Sequence, residues 1–184
     1  MMLVNGQLVA TVNALDRGLA YGDGVFRTLR TQAGQPLWWP DQFAKLAADC
    51  AALALACPDE TLLRNEVCQV AEADEGIAKI ILTRGVGTRG YAQSSDQMGT
   101  RLVLSAPLPA YACSDAPAGI VARWCTLKLA RQPRLAGVKH LNRLENVLAR
   151  AEWDDPARSR SSAEKVRQRM EGSSPLTKTR SKGR

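Results

Sequence analysis

The sequence predicts an α+β domain built on an antiparallel sheet, and three observations predict this class. Short apolar runs bounded by turn signals recur through the chain and indicate strands. Two segments between them change to the 3.6-residue spacing of helices. The strands also follow one another in hairpin order instead of alternating one by one with helices, which favours antiparallel pairing. With 184 residues, the chain suffices for one domain or two small ones.

The strands are predicted from apolar runs that end at glycine, proline or asparagine. Asn5-Gly6 is the strongest short hairpin signal, and it lies between the first two predicted strands. Leu37, Trp38 and Trp39 are predicted to form a short buried strand after a turn at residues 33–36. The predicted strands are residues 2–4, 8–12, 25–31, 37–39, 78–84, 101–106 and 120–125.

Three segments have apolar residues at helical spacing. The first covers residues 41–54, where Asp41 is a suitable N-cap. The second covers residues 60–73, and the third covers residues 141–153 with one apolar face. Two glycine-rich segments, residues 16–24 and 85–91, are predicted to be loops.

The net charge of +7 could indicate a nucleic-acid partner, but its position argues for another interpretation. Residues 157–184 contain nine Lys or Arg against two Glu, so the first 156 residues carry no net charge. This basic tail has no aromatic residue and few aliphatic ones, which predicts a disordered end. A nucleic-acid arm stays open as the alternative, without interleaved aromatic residues to support it.

Composition also bounds the cellular setting. No apolar run approaches the 18 residues of a membrane span, and the first residues do not resemble a secretory signal. Five cysteines form no C-x-x-C pair, and His140 is the only histidine, so we expect no zinc site and no disulfide scaffold. These features favour a reducing cytoplasm.

Lysine and arginine residues near glycines are the candidates for chemistry. Lys139 follows an apolar, glycine-containing stretch, where partial desolvation would lower its pKa and favour Schiff-base chemistry. A surface lysine at a strand end is the alternative. Residues 85–90 contain glycines and arginines that could hold a carboxylate or phosphate, or could form a flexible hairpin loop.

Three motifs together resemble a known family. They are residues 16–26 (DRGLAYGDGVF), residues 84–91 (RGVGTRGY) and residues 137–148 (GVKHLNRLENVL), and they match in order over residues 2–155. The resemblance is to the fold-type IV pyridoxal-phosphate enzymes, which include branched-chain and D-amino-acid transaminases. The second and third motifs are similar to those of its 4-amino-4-deoxychorismate lyase branch.

The resemblance implies a function and a set of site residues. Lys139 would form the Schiff base with pyridoxal 5'-phosphate, and Lys45 would hold its phosphate where the family has an arginine. Arg89 and Tyr91 would contact the substrate. The implied reaction is a lyase step of folate biosynthesis that converts 4-amino-4-deoxychorismate into 4-aminobenzoate and pyruvate. The implied enzyme is a cytoplasmic homodimer without a metal.

The chain departs from the family after about residue 156. The resemblance implies an N-terminal α+β domain over residues 1–120 with two helices. Residues 121–156, with the interdomain helix, would start the cofactor-binding domain, and residues 157–184 would be an aberrant or disordered tail. The rest of the second domain is missing. Glu171 is only a weak match to the glutamate of that domain that binds the pyridine nitrogen. We therefore expect a truncated or frameshifted product with little or no lyase activity.

Two other functions remain open at this point. Within the same superfamily, the chain could be a branched-chain or D-amino-acid transaminase, although the glycine-arginine loop favours the lyase. From another class, it could be an inactive fragment or a basic nucleic-acid-binding protein. That protein would bind no cofactor and would show a salt-dependent affinity for DNA.

Overall fold

The computed structural model describes residues 1–72, 74–87, 89–93, 98–108 and 124–152. The chain divides into two compact units, the first comprising Met1–Ala116 with Gln132–Arg143, and the second Pro117–Arg131 with Leu144–Arg184. The elements of the described residues are β1 (Met2–Val4), α1 (Arg17–Tyr21), β2 (Gly24–Gln32), β3 (Gln35–Pro36), α2 (Trp39–Ala52), α3 (Glu60–Val70), β4 (Glu75–Thr83), β5 (Thr100–Pro107), a 3₁₀ turn (Pro133–Leu135) and α4 (Leu144–Ala151).

The first unit contains a five-stranded sheet in the order β1-β5-β4-β2-β3. Every neighbouring pair is antiparallel, so the predicted α+β class with an antiparallel sheet is confirmed. β2 pairs with β4 over its whole length, from Gly24 opposite Thr83 to Gln32 opposite Glu75. β3 pairs with only Thr31 and Gln32 on the other edge of β2. Most of that edge is therefore available to another segment.

The core lies where α2 and α3 contact the sheet. Alternate residues of β4, namely Ala78, Ile80 and Leu82, are buried, as expected for a strand with one covered face. From the helices, Leu46 and Leu63 are fully buried against them. Burying an aliphatic side chain of this size contributes about 1.5–3 kcal/mol, so this layer fixes α2 on the sheet. The opposite face of β4 carries the half-buried Ile77, Lys79 and Ile81.

The predicted hairpin at the N-terminus is wrong in its second arm. Asn5 and Gly6 do turn with positive φ angles, but Val4 forms only an isolated bridge to Gln7 and residues 8–12 form no strand. β1 pairs instead with β5, with Met2 opposite Leu104. The distant strand offers a full ladder and a buried position for Leu3, which outweighs the local turn preference.

The predicted strand at residues 37–39 is also wrong, because α2 begins earlier than expected. Trp39 is the first residue of the helix, and Trp38, not Asp41, occupies the N-cap position. Pro40 suits the first turn of a helix, where a missing N–H costs nothing. Trp39 is buried and donates from Nε1 to Glu60 at 3.0 Å, whereas Trp38 is 69% exposed.

The second helix and the later strands agree with the sequence. Asp59 caps α3 by accepting from the Leu62 N–H at 2.9 Å, and α3 ends at Val70, three residues before the predicted end. β4 and β5 confirm the strands expected at residues 78–84 and 101–106, and β2 confirms the one at residues 25–31.

In the second unit, α4 is shorter than the predicted helix and begins at Leu144. The Glu152 carboxylate accepts from the backbone N–H groups of Thr126 and Leu127 at 2.8 Å each. Val147 and Leu148, on the predicted apolar face, are exposed. Most of the strand predicted at residues 120–125 lies outside the described residues. Among the helices of the described ranges, none is long and apolar enough to cross a membrane.

Candidate active site

The segment that carries Lys139 lies along the free edge of β2. Val25 and His140 form an antiparallel bridge, the Phe26 N–H donates to the Lys139 carbonyl at 3.0 Å, and Leu141 N–H donates to Gly24 O at 2.9 Å. Since β4 occupies the opposite edge of β2, the segment adds to the sheet on the same side as β3. This register places Lys139 opposite Phe26, so the two side chains share one face of the sheet.

Three cations surround the Phe26 ring. Lys139 Nζ lies 4.9 Å from the ring centroid, Lys79 Nζ 5.3 Å and Arg143 Cζ 5.6 Å. All three fall within the roughly 6 Å over which an aromatic ring attracts a cation. Lys79 comes from β4, where it stands opposite Thr28. The cluster therefore joins β2, β4 and the Lys139 segment on the sheet face that bears Ile77 and Lys79.

The surroundings of Lys139 lower the pKa of its amine. Burial is the largest cause, and the positive charges of Arg27, Arg143 and Lys79 add to it, while the Asp49 carboxylate acts in the opposite direction. A lower pKa gives a larger fraction of neutral amine near neutral pH. Because the neutral amine is the nucleophilic form, the position suits covalent reaction with a carbonyl group.

Lys45 lies beside the same segment. Its ammonium forms an ion pair with Asp49, one helical turn further along α2, and donates to the Gly137 carbonyl at 3.0 Å. Asp49 is 1% exposed, and its Oδ2 has no hydrogen-bond partner among the residues that the structure describes. The predicted phosphate residue thus lies near Lys139, but its charge is already shared with a buried carboxylate.

Asp49 is missing from the site residues predicted from the sequence, although its spacing of four residues from Lys45 on a helix is a usual signal for an ion pair. Lys79 is also missing from them. Lys79 is a charged residue between the apolar Ala78 and Ile80 in the middle of a strand, which is the signal that could have found it. Arg143 belonged to the family motif but received no role.

The loop with Arg89 and Tyr91 is held by α1. Arg17 Nη1 donates to the Gly90 carbonyl at 3.0 Å, and the Tyr91 ring lies 5.3 Å from the Tyr21 ring. Both Arg89 and Tyr91 are exposed. The Gly90 N–H also donates to the Tyr21 hydroxyl at 3.4 Å, so Gly90 and Tyr91 both contact α1.

The short helix α1 occupies part of the predicted glycine-rich loop at residues 16–24. Asp16 is its N-cap and accepts from the Gly18 N–H at 2.7 Å, and Gly22 ends it with a left-handed φ of 65°. Asp and Gly at these two ends are the usual residues for starting and stopping a helix.

A partly buried ion network connects α1 to the end of β4. Asp23 Oδ2 accepts from Arg17 Nε and from Arg84 Nε at 2.9 Å each. Burial by itself would raise the pKa of Asp23, but the hydrogen bonds and charges of Arg84 and Arg17 outweigh it and lower the pKa. Asp23 therefore stays ionised at neutral pH and holds both arginines. Glu171, the remaining predicted site residue, lies outside the described residues.

The comparison with protein-family models matches residues 24–156 to the family described as "Amino-transferase class IV". The chain belongs to the class IV aminotransferase family. This family assignment confirms the resemblance found in the sequence motifs.

Two of the proteins to which this chain is similar are lyases. The chain is 34% identical over 155 residues to an aminodeoxychorismate lyase of Vibrio harveyi, covering 84% of this chain and 57% of that protein. It is 41% identical to the crystal structure of 4-amino-4-deoxychorismate lyase from Pseudomonas aeruginosa, with a TM-score of 0.80, covering 91% of this chain and 61% of that one.

A third relative is a fold IV transaminase of Curtobacterium pusillum. Its structure is 26% identical with a TM-score of 0.59, and the match covers 78% of this chain and 51% of that one. This chain therefore spans about half to three-fifths of the length of these three relatives.

Proposed function

We propose that the chain carries the lysine-bearing part of a pyridoxal-phosphate-dependent lyase, which converts 4-amino-4-deoxychorismate into 4-aminobenzoate and pyruvate. The observation that carries this proposal is the half-buried Lys139 amine, with a lowered pKa, beside Phe26. The 34% and 41% identities to lyases support this reaction over amino transfer.

The residues present fit pyridoxal phosphate. Lys139 offers an amine suited to covalent linkage with an aldehyde, and Lys45 lies on the adjacent helix with a positive charge for the phosphate. A lysine keeps the charge of the family's arginine but cannot form its bidentate hydrogen bonds. When bound, the cofactor supplies an electron sink for charge that develops on the substrate carbon.

Lys139 also acts as the proton carrier in this proposal. Its neutral Nζ would take the proton from C4 of the substrate and become an ammonium. A base works best when its pKa lies near the working pH, and the environment of Lys139 moves its pKa in that direction.

Arg89 and Tyr91 are proposed to contact the substrate, with Arg89 directed to a carboxylate. The family motif supports these two roles. The hydrogen bond from Arg17 to the Gly90 carbonyl, which fixes the loop backbone, supports them as well. Glu171 is proposed to pair with the pyridine nitrogen, and its support is the family resemblance alone.

We also propose the domain division 1–120, 121–156 and 157–184, a cytoplasmic location and a homodimer. Four cysteines within the described ranges are free thiols, which fits a reducing compartment. Exposed apolar side chains of the N-terminal region, such as Leu8, Leu15 and Leu19, offer surface for a second copy of the chain.

The test is covalent capture of the cofactor by the full 184-residue chain. The chain is incubated with pyridoxal phosphate, reduced with borohydride and weighed by mass spectrometry, beside the variants Lys139→Arg and Lys79→Arg. We expect one adduct in the wild type and in Lys79→Arg, and none in Lys139→Arg. Equal labelling of Lys139→Arg would contradict the proposal.

A product assay separates the lyase from the transaminase. Release of 4-aminobenzoate from 4-amino-4-deoxychorismate, even at the low level expected of this chain, supports the lyase, whereas amino transfer from a branched-chain or D-amino acid to a keto acid supports the alternative. Absence of any adduct together with salt-dependent DNA binding would indicate the basic nucleic-acid-binding protein instead.

A further inference from the structure

Among the described residues, the three cations around Phe26 have no carboxylate as a direct partner, although the charge of Asp49 acts on Lys139 and Arg143. Within the part of the chain that the structure describes, no carboxylate forms an ion pair with Lys79, Lys139 or Arg143. Asp49 itself is ion-paired with Lys45, and Arg27, a further positive charge that acts on Lys139, donates to the Gln42 amide oxygen. Half-buried positive charges gathered on one ring repel each other, and an anion placed among them removes that cost.

The Arg143 guanidinium group is fixed by hydrogen bonds in a position to bind such an anion. Its Nε donates to the His140 carbonyl at 2.9 Å and its Nη2 to the Val138 carbonyl at 3.0 Å. These two bonds fix the plane of the guanidinium group. Its Nη1 makes no hydrogen bond with the residues that the structure describes, so one edge of the fork stays able to donate.

Lys79 is held on the same face by the sheet itself. It stands opposite Thr28 of β2 and opposite Leu104 of β5, so strands pair with β4 on both sides of it. Neither Lys79 nor Arg143 is consumed when Lys139 reacts, because only the Lys139 amine takes part in the covalent linkage. Their two charges therefore persist in the loaded site.

We propose that Lys79 and Arg143 form a binding site for a carboxylate of the substrate at the Phe26 ring, next to Lys139. This inference rests on the proposed function, because it takes Lys139 as the reacting residue. The ring offers an apolar surface for the six-membered ring of the substrate, and the two cations offer charge-assisted hydrogen bonds to its acid group. A phosphate group has the same oxyanion chemistry, so the test includes it as a separate arm.

The test measures binding of benzoate, as a cyclic carboxylate, to the full chain by titration calorimetry. Benzyl alcohol is the neutral comparison, and inorganic phosphate is the second anion. The variants are Lys79→Met, Lys79→Arg, Arg143→Met and the control Arg64→Met, which removes one charge from an exposed position on α3. Thermal unfolding of each variant shows whether it is folded.

We expect Lys79→Met and Arg143→Met each to weaken benzoate binding about tenfold, the usual effect of losing one charge-assisted hydrogen bond. Lys79→Arg should retain most of the affinity, and Arg64→Met all of it. Benzyl alcohol should bind the wild type and the variants equally weakly.

Two results would overturn the inference. Unchanged benzoate affinity in a folded Lys79→Met variant would show that this charge holds no carboxylate. A loss of phosphate and pyridoxal-phosphate binding without a loss of benzoate binding would assign the two cations to the cofactor phosphate. Failure of the proposed function is a different result, since a missing adduct at Lys139 leaves the benzoate titration intact.

Discussion

Arg17 is the residue whose replacement perturbs the loop around Gly90 and Tyr91 most directly. It is 4% exposed and donates to Asp23 at 2.9 Å and to the Gly90 carbonyl at 3.0 Å, with longer bonds of 3.4 Å to the Tyr91 and Ala92 carbonyls. Removing one partner of a buried ion pair costs about 3–5 kcal/mol. Asp23 keeps its bonds to Arg84, so we place Arg17→Met near the lower end, at about 3 kcal/mol.

The assay is urea unfolding followed by tryptophan fluorescence. Arg17→Lys keeps the positive charge but not the planar guanidinium group with its several donors. We therefore expect it to lower the free energy of unfolding by about half as much as Arg17→Met does. Arg64→Met, at an exposed position, should change the free energy of unfolding by less than about 0.5 kcal/mol. Trypsin should also cleave after Arg89 faster in Arg17→Met, because the loop backbone has lost its main donor. A loss below about 1 kcal/mol, with unchanged cleavage, would refute this reasoning.

Three further predictions concern the core, a turn and the electrostatics of the site. Leu46→Ala, at a fully buried position, should lower the free energy of unfolding by about 2–5 kcal/mol in the same urea assay. Gly85→Ala should destabilise by at least about 2 kcal/mol, because an added Cβ would lie 1.8 Å from the Met98 carbonyl, whereas Gly34→Ala has open space and should cost about 1 kcal/mol for its positive φ alone. Asp49→Asn removes a charge that raises the Lys139 pKa, so that pKa should fall further and the pH midpoint of adduct formation should move to lower pH. An unmoved or higher midpoint would contradict this last prediction.

The parts of the fold that the sequence predicts are those fixed by local pattern. The run around Ile80 alternates with the pleat of a half-covered strand, and Asp59 marks the start of α3 by its capping side chain. The errors arise where a distant partner competes with a local preference. Residues 8–12 have a suitable turn before them, yet β5 pairs with β1 in their place.

The candidate site, like the fold, is predictable from the sequence only where the signal is local. Lys139 is predictable from the sequence because it lies within a motif of the family, and Lys45 because it occupies a position that matches the family. Phe26, Lys79 and Arg143 meet only because β2, β4 and the segment after Gly137 become neighbours in the sheet. Pairings over such long separations depend on the whole core, so spacing along the chain does not reveal them.

Peptide mapping of the reduced adduct shows which lysine binds pyridoxal phosphate covalently. The full chain is treated with pyridoxal phosphate and borohydride, digested with a protease that does not depend on lysine, and sequenced by tandem mass spectrometry. We expect the cofactor mass on Lys139 alone. A label on Lys45, Lys79 or a lysine of the basic tail, with Lys139 unmodified, would contradict it.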